Sequence, residues 1–550
     1  MTSQSSTKSI VRDAAWVIAL SICVYALTRI PYNSAVRNAP AGAVSIGQVA
    51  VADDVNSYFS FMRQAAQGHF VFRNTMTYID HDPVFVNLEF WFFGALMGWF
   101  GWAPPHLYDV WRIAGIATLL SGFAALARVA LATEFQRRVA LLMCAFGGGF
   151  GWLLVILYKL GLLNVHTEFE ILNPLLDLTA GIHPFVQMTR NPHFSLPHGT
   201  FLFTFACMAL GERTRRAKWY GMAALFAFVH GLCRPYDLIS LFAILPAFVL
   251  LECALARHIE WRWCIVRCAP LALAAPLLLY NVYLFSFHPV FKFWASQGGH
   301  PANIPIRWHL LSLGIPLLLF VARLLRARAH PIATPAERLI LVWGVTLVVL
   351  FHAYRVFSFM PYTPQLVIPS VTPLIILGVS LLPALETLHA SQRRLLIVSA
   401  AVLVCATSLS TPIYIRRESS LVTHNELHFI RTEDLDAIAW LNGHIRESDI
   451  VLARYPYSSR MSQYLNARVS VGHWALSPHV NDLRPRIDRF LDGSAAPEEA
   501  RLLLDEIRPR YVYLNRENSA PPPQYFQSNP DLKPVFENGG VAIFEAPKSD

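Results

Sequence analysis

The chain has 550 residues, of which 54% are hydrophobic and only 15% are charged, and its mean hydropathy is +0.40. A soluble protein of this length carries about a quarter charged residues, so the composition excludes a soluble enzyme, a disordered chain and a collagen-like repeat. The formal net charge of +9 does not indicate a nucleic-acid partner, because the basic residues cluster in short links between apolar blocks. Such links are typical of the cytoplasmic loops of a polytopic membrane protein, and here they lie at 137–138, 213–218, 323–328 and 393–394.

The apolar blocks predict a polytopic α-helical membrane protein with about eleven transmembrane helices, since each block approaches the roughly 20 residues that cross a bilayer. The first block follows basic residues and has no convincing cleavage site, so we expect a retained first span with a cytoplasmic N-terminus. The block 84–102 is also apolar enough to cross, but the basic loops would then no longer share one side, and we expect it to lie on the membrane or dip into it. The predicted spans are 14–30, 108–131, 139–161, 197–211, 219–233, 236–256, 263–287, 306–325, 337–354, 364–386 and 393–412.

This topology divides the chain into a transmembrane module at 1–412 and a soluble α/β domain at 413–550. The external loop 31–107 belongs to the first part, and apolar residues at helical spacing between Val55 and Phe70 predict a surface helix within it. In the tail, helix signals alternate with strand signals, which is typical of a small α/β domain. The helix signals lie at 435–442 and 500–507, and the strand signals at 449–453, 511–514 and 541–544.

Two adjacent carboxylates, Asp53 and Asp54, lie in the first external loop at the start of the predicted surface helix. A carboxylate pair at the membrane face can deprotonate an acceptor hydroxyl, which is worth about 10²–10⁴ in rate, or bind a divalent metal. The structural alternative is a helix N-terminus, where acidic side chains complement the helix dipole by about 0.3–1 kcal/mol. The residues alone leave both interpretations open.

The first loop resembles that of the GT-C superfamily, integral-membrane glycosyltransferases that use polyprenyl-phosphate sugars and include protein O-mannosyltransferases and lipid A aminoarabinose transferases. The features that carry the resemblance are a short N-terminal span, the pair Asp53-Asp54, the residues Tyr58, Arg63-Gln64-Ala65 and Gly68, and the arginine-led segment 111–115. The resemblance implies that one of the aspartates acts as a base or a metal ligand. It also implies that 84–102 is a second surface element, which agrees with the topology chosen from charge.

Three arginines at predicted external helix ends are candidates for holding the donor phosphate. Arg234 precedes a proline, and a fixed guanidinium there would hold a lipid phosphate through paired hydrogen bonds and stabilise it as a leaving group. The family commonly has a basic residue at the matching place, and the alternative is a snorkelling arginine paired with Asp237. Arg355 is a second candidate, and Arg112 is a third, for which closing a helix end against lipid headgroups is an equal explanation.

The second external loop contributes His193 and His198 as candidate acceptor or loop-site residues, together with Asp237. The histidine spacing matches no metal motif, and ordinary capping of helix ends is the alternative role. The family often has an acidic residue before this span, and histidine stands here instead. No cofactor is assigned, and a divalent metal remains an alternative. Two tail segments, 455–458 and 471–474, carry polar and aromatic residues for which the sequence offers no role.

Together these features predict a GT-C-like glycosyltransferase of a bacterial inner membrane, active on its periplasmic side. Its partners would be a polyprenyl-phosphate sugar donor, an envelope acceptor (lipid, glycan or protein) and membrane lipids, and direct displacement would invert the anomeric carbon. The rivals are a transporter or flippase of a lipid-linked sugar and a non-catalytic scaffold for envelope assembly. No internal repeat relates the two halves of the membrane region, although such repeats are common in transporters.

Overall fold

The computed structural model describes residues 3–165, 167, 170, 181–297, 305–328, 331–353, 366, 368–423, 425–516 and 522–547. The helices are α1 Ser3–Arg37, α2 Ala52–Ala66, α3 Leu88–Phe100, α4 Pro104–Ala130, α5 Glu134–Phe146, α6 Gly151–Lys159, α7 Pro184–Arg190, α8 Pro192–Thr214, α9 Ala217–Cys233, α10 Tyr236–Ala256, α11 Trp261–Arg267, α12 Ala269–Phe287, α13 Pro289–Gln297, α14 Ile306–Leu325, α15 Pro335–His352, α16 Val371–Val379, α17 Ala390–Ser408, α18 Ser410–Leu421, α19 Thr432–Asn442, α20 Tyr457–Met461, α21 Val480–Leu491, α22 Pro497–Ile507 and α23 Gln524–Ser528. The strands are β1 Ala43–Ser45, β2 Phe429–Arg431, β3 Ile450–Ala453, β4 Arg468–Val469, β5 Tyr511–Asn515, β6 Lys533–Glu537 and β7 Val541–Glu545.

Within the described residues, eight helices are long and apolar enough to cross a membrane, and a ninth span arises if the bent pair α5 and α6 forms one crossing. Each of the eight coincides with a predicted span, so the prediction of a multi-pass helical membrane protein is confirmed. The eight are Ile10–Arg37 in α1, α4, α8, α10, α12, α14, α15 and the continuous stretch Ala390–Leu421.

The other three predicted spans take different forms. The span 139–161 is broken into α5 and α6, with a bend of 55° between their axes. Three of the four intervening residues, those at 147–149, are glycine, which is a poor helix former. The span 219–233 is α9, a helix of 17 residues. The span 364–386 lies partly outside the described residues and contains the short helix α16.

The apolar block 84–102 forms α3, a helix of 13 residues. At 1.5 Å per residue this helix is about 20 Å long, which is shorter than the roughly 30 Å of hydrocarbon in a bilayer. It is therefore too short to span the membrane as a straight helix, in agreement with the topology that the charge pattern predicts.

By internal contacts the chain forms two compact units, neither of which is continuous in sequence. Unit 1 comprises Met1–Pro31, Val110–Asn281 and Gly299–Glu418, and unit 2 comprises Tyr32–Asp109, Val282–Gly298 and Ser419–Asp550. The first external loop therefore groups with the tail, whereas the predicted division at residue 412 follows the order of the chain. Unit 2 thus contains most of the first external loop, the end of the predicted span 263–287 with the residues that follow it, and the tail.

Unit 1 holds its helices together partly through close backbone contact. A Cβ atom on Gly122 of α4 would lie 2.5 Å from the carbonyl oxygen of Gly199 in α8, and one on Gly199 would lie 2.5 Å from the backbone of Thr118. Small residues at a crossing let two helices approach until their backbones touch, which is how membrane helices gain packing energy. The α4–α8 crossing accordingly has no room for a side chain at either glycine.

Unit 2 contains a five-stranded sheet with the order β4-β3-β5-β7-β6. Strands β4, β3 and β5 are parallel, and β7 is antiparallel to both of its neighbours. Because the chain passes from β3 to β4 on one side and then crosses to β5 on the other, the strand order reverses beside β3. A short antiparallel pair, β1 and β2, joins the first loop to the segment before α19.

Strand β3 is buried on both faces of this sheet. Ile450 and Leu452 pack into one apolar cluster, and Val451 and Ala453 pack into another. Alternate side chains of a strand point to opposite faces, so a continuous apolar run is what a strand covered on both faces requires. The predicted tail helices and strands are all present, which confirms the α/β character of the tail.

Helix α2, the predicted surface helix of the first loop, packs closely on α3. A Cβ atom on Gly94 of α3 would lie 2.3 Å from the carbonyl oxygen of Met62 in α2 and 2.6 Å from the side chain of Ala65. The glycine thus permits backbone contact between the two helices of the loop. This contact holds α2 in a fixed position within unit 2.

Candidate active site

The acidic pair lies in the first turn of α2. The residue before the helix, Val51, has a left-handed conformation with φ of 48°, and no side chain caps the helix. Neither aspartate is therefore a side-chain cap, but both lie in the first turn, where acidic side chains complement the helix dipole as the structural alternative predicts. Both side chains also contact residues of the tail, within unit 2.

The carboxylate of Asp53 accepts two hydrogen bonds from neutral hydroxyl groups. The Tyr455 hydroxyl donates to Oδ2, and the Ser459 hydroxyl donates to Oδ1 at 2.7 Å. Burial, together with the negative charge of Asp53, raises the pKa of Tyr455 above its ordinary value. The phenol consequently keeps its proton at neutral pH and remains a donor to Asp53.

A chain of buried polar groups leads to the same carboxylate. Gln48 donates to Gln463 at 3.2 Å, Gln463 donates to Asn56, and Asn56 donates to Ser459 at 3.0 Å. Ser459 then donates to Asp53, so every group in the chain donates towards the carboxylate. Hydrogen bonds in such chains polarise and strengthen one another, which holds Asp53 firmly against the tail.

Asp54 has a different environment. Its Oδ1 lies 3.0 Å from Nε2 of His473, whose side chain is only 3% exposed, whereas the Asp54 side chain is 35% exposed. The other ring nitrogen of His473 accepts the backbone N–H of Ala475 at 2.9 Å. Since Nδ1 is an acceptor, Nε2 carries a proton and donates it to Asp54. Asp54 is thus oriented by one donor and remains open to solvent on its other side.

These contacts come from the carboxyl edge of the parallel strands. Tyr455 is two residues beyond the end of β3, and His473 is four residues beyond the end of β4. In open α/β sheets, ligands bind outside the carboxyl ends of the strands where the strand order reverses. The acidic pair lies at such an edge, so the first loop and the tail together build one candidate site in unit 2.

The candidate residues around Arg234 lie in unit 1 and are buried. Arg234 is 2% exposed and donates from Nε to Oδ2 of Asp237 at 3.0 Å, and its guanidinium lies 4.7 Å above the ring of Phe194. The same carboxylate oxygen is 3.3 Å from Nε2 of His230. The structure thus brings together Arg234 and Asp237, as the pairing alternative predicts, and it adds His230, which the sequence did not single out.

The other histidines and Arg112 are also enclosed by protein. His198 is hydrogen-bonded through Nδ1 to the amide oxygen of Gln187 at 2.7 Å. His193 is in the first turn of α8 and is 8% exposed. Arg112 is fully buried and donates to Thr28 at 2.6 Å. Arg355 lies outside the described residues, and the phosphate-binding roles of the three arginines stay predictions.

The described residues contain no group of three His, Cys, Asp or Glu side chains placed to hold a metal ion. In the acidic pair, the oxygens of Asp53 already accept hydrogen bonds from Tyr455 and Ser459. A divalent metal therefore remains a proposal from the sequence.

The sequence matches no family model and no curated protein. The fold is similar to that of the oligosaccharyltransferase of Archaeoglobus fulgidus in its apo form, with a TM-score of 0.54 and 11% identity over 91% of this chain and 69% of that one. The same enzyme tethered to an acceptor peptide gives a TM-score of 0.51 at 12% identity over the same shares. ArnT from Cupriavidus metallidurans gives 0.48 at 13% identity, over 96% of this chain and 97% of that one. These likenesses show that the chain shares the fold of the archaeal oligosaccharyltransferase.

Proposed function

We propose that this protein is a membrane glycosyltransferase that moves a sugar from a polyprenyl-phosphate donor to an envelope acceptor. The observation that carries the proposal is the acidic pair, in which Asp54 is oriented by His473 and stays partly exposed. The GT-C fold supports it, because the archaeal oligosaccharyltransferase of the same fold has been crystallised with a tethered acceptor peptide. We place the reaction on the periplasmic side of a bacterial inner membrane.

The two aspartates have different parts in this proposal. Asp54 is the general base, because only Oδ1 has a protein partner among the described residues and the side chain is open to solvent. It takes the proton from the acceptor hydroxyl while that oxygen attacks the anomeric carbon of the sugar. Asp53 positions the start of α2 on the tail, because both of its oxygens accept hydrogen bonds from the tail. The bond to the phosphate oxygen breaks as the new glycosidic bond forms, which inverts the anomeric carbon.

The departing phosphate needs positive charge, and arginine supplies it best through its planar, bidentate donors. Arg234, Arg112 and Arg355 are the residues that we assign to this role. Because Asp237 partly neutralises Arg234, this arginine alone provides little net positive charge to the donor phosphate. The proposal therefore includes a second cation at the phosphate, and we assign that role to Arg355.

A transfer assay in detergent tests this function. Purified protein is mixed with labelled polyprenyl-phosphate sugars and an envelope lipid extract, with and without EDTA, and the double variant Asp53→Asn/Asp54→Asn is run beside it. Product that forms with the wild-type protein and disappears with the double variant supports the proposal, and loss of product in EDTA assigns a metal to the pair.

Two results would contradict the proposal. A folded double variant that transfers sugar at the wild-type rate would remove the aspartates from the chemistry. Transport of the labelled donor by proteoliposomes without any new glycosidic bond would instead establish the transporter or flippase.

A further inference from the structure

A separate pocket in unit 2 has a volume of about 250 Å³ and lies at the C-terminal end of α2. Its polar lining includes Arg63, Gln67 and Asn466 and also the carboxylate of Glu447. Its apolar lining, called here the apolar wall, comprises Val71, Pro83, Leu465 and Ala467. Ligand sites for small molecules combine an apolar lining with a few placed polar groups, and this volume is just below their usual range of about 300–1,000 Å³. The pocket therefore suits a compact ligand.

The pocket contains one arginine that forms no ion pair in the described protein. Arg73 is paired with Asp80 at 2.7 Å, and the Glu447 carboxylate, which is 58% exposed, lies 3.5 Å from the His69 ring. Among the described residues no carboxylate pairs with Arg63, whose guanidinium donates to the amide oxygen of Asn466. Burial lowers the pKa of Arg63 to about 10, so the group is still charged at neutral pH but lies in a poorly solvated place. The pocket therefore contains a largely buried guanidinium that has no carboxylate partner among the described residues, together with the more exposed carboxylate of Glu447.

Arg63 lies in the last turn of α2, but its side chain is not needed to satisfy the end of this helix. A basic side chain there can satisfy the final carbonyl groups of a helix, but these carbonyls already have other donors. The carbonyl of Arg63 accepts the backbone N–H of Gln67 at 3.1 Å, and that of Ala65 accepts from Gly68 at 3.0 Å. The Arg63 side chain donates to the tail instead, and its buried Nε has no acceptor in the described protein.

We propose that this pocket is a binding site for a phosphate or carboxylate group carried by a compact molecule such as a sugar, and that Arg63 is the residue that recognises the oxyanion. The site is distinct from the acidic pair, since Arg63 is nine residues further along α2 than Asp54, or about 14 Å along the helix axis. Guanidinium groups bind oxyanions through short charge-assisted hydrogen bonds. The apolar wall would contact the carbon face of the ligand. Because Arg63 and Asn466 come from the first loop and the tail, a bound ligand would also stabilise their contact.

Binding is measured on the full-length protein in detergent by titration calorimetry with four probes: inorganic phosphate, glucose 1-phosphate, glucuronate and neutral glucose. We expect the three oxyanions to bind at least ten-fold more tightly than glucose. Arg63→Gln should weaken them at least ten-fold, and the control Arg508→Gln, which removes an exposed arginine elsewhere in unit 2, should leave them unchanged. Glucose 1-phosphate binding more tightly than phosphate would assign the apolar wall to the sugar ring, and equal binding would assign the pocket to the oxyanion alone.

A second measurement does not depend on the folding of a variant. Phenylglyoxal modifies accessible arginines, and peptide mass analysis of the wild-type protein gives the modified fraction at Arg63. We expect glucose 1-phosphate to protect Arg63 and glucose not to protect it. The inference is overturned if neither phosphate nor the anionic sugars bind, if glucose binds equally well, or if folded Arg63→Gln protein retains wild-type affinity.

Discussion

Unit 1 keeps Arg234 at 2% exposure with its charge paired to Asp237, whereas unit 2 keeps Asp54 at 35% exposure with a single neutral donor on one oxygen. A buried charge is costly unless it is paired, so removing one member of a buried pair strains the fold. Replacing a partly exposed carboxylate changes the free energy of unfolding little, and the proposed role of such a group is to accept a proton. We therefore expect substitutions at Arg234 to act first on stability and substitutions at Asp54 to act first on the proposed sugar transfer.

The largest expected effect on stability is at the buried pair of unit 1. Arg234→Met leaves Asp237 buried without its guanidinium and should cost about 3–5 kcal/mol of unfolding free energy. Thermal unfolding in detergent measures the loss. The double variant Arg234→Met/Asp237→Leu should recover most of it, because apolar groups replace a buried pair at little net cost.

The same double variant separates the two roles of Arg234. Stable protein that no longer transfers sugar would support phosphate binding by Arg234. Stable protein that transfers at the wild-type rate would leave Arg234 with a structural role only and would break the assignment of the donor site.

A smaller effect on stability is expected in unit 2 at low pH. Burial lowers the pKa of His428 to about 4 from its ordinary 6.5. The folded protein binds a proton on His428 less readily than the unfolded chain does. As the pH falls from about 6.5 through the folded-state pKa of about 4, the free energy of unfolding therefore falls by at most about 3 kcal/mol. Thermal unfolding between pH 7 and pH 4 should therefore show a fall that His428→Gln reduces. An equal fall in His428→Gln and in the exposed control His444→Gln would contradict this account.

The hydroxyl of Tyr455 should contribute less again. Tyr455→Phe removes one of the two hydrogen bonds to the Asp53 carboxylate, and a bond to a charged group is worth about 1.5–3 kcal/mol. We expect a loss of stability in that range and a lower transfer rate, because the start of α2 is held less firmly. Tyr525→Phe, which removes a phenol in the same unit, is the control. Transfer by Tyr455→Phe at the full wild-type rate would show that the contact between Asp53 and the tail does not position the site.

The smallest effect on stability is expected at Asp54 itself. Asp54→Asn retains an oxygen that accepts the N–H of His473, and the side chain is partly solvated, so the unfolding free energy should change by less than about 1 kcal/mol. A thermal unfolding curve beside that of the wild-type protein measures it. A loss as large as that of Arg234→Met would remove the distinction between the two regions.

Much of the fold follows from local patterns in the sequence. The long apolar blocks predict the spanning helices, and the apolar run 450–453 within the predicted strand 449–453 predicts β3. Strand β6 was not predicted, because it is a partly exposed edge strand that contains Pro534 and shows no clean alternation. Strand β4 has only two residues, which is too short for any periodic signal.

The acidic pair could be found from the sequence, but its partners could not. Tyr455 and His473 lie about 400 positions from the aspartates, and only the folding of the loop onto the tail sheet brings them together. The segments 455–458 and 471–474 are conspicuous for their aromatic and polar residues, yet no spacing links them to α2. The hydrogen bonds that distinguish Asp53 from Asp54 likewise depend on packing, which a pair of identical neighbours in the sequence does not reveal.

The most direct test of the proposed base is the transfer rate of Asp54→Asn, compared with Asp53→Asn and with Asp436→Asn, an exposed carboxylate of the same unit. Loss of general-base catalysis should lower the rate of Asp54→Asn by about 10²–10⁴ while its thermal unfolding stays that of the wild type. Asp53→Asn should retain more activity, and Asp436→Asn should retain all of it. Folded Asp54→Asn protein that transfers sugar at the wild-type rate would contradict the assignment of Asp54 as the base.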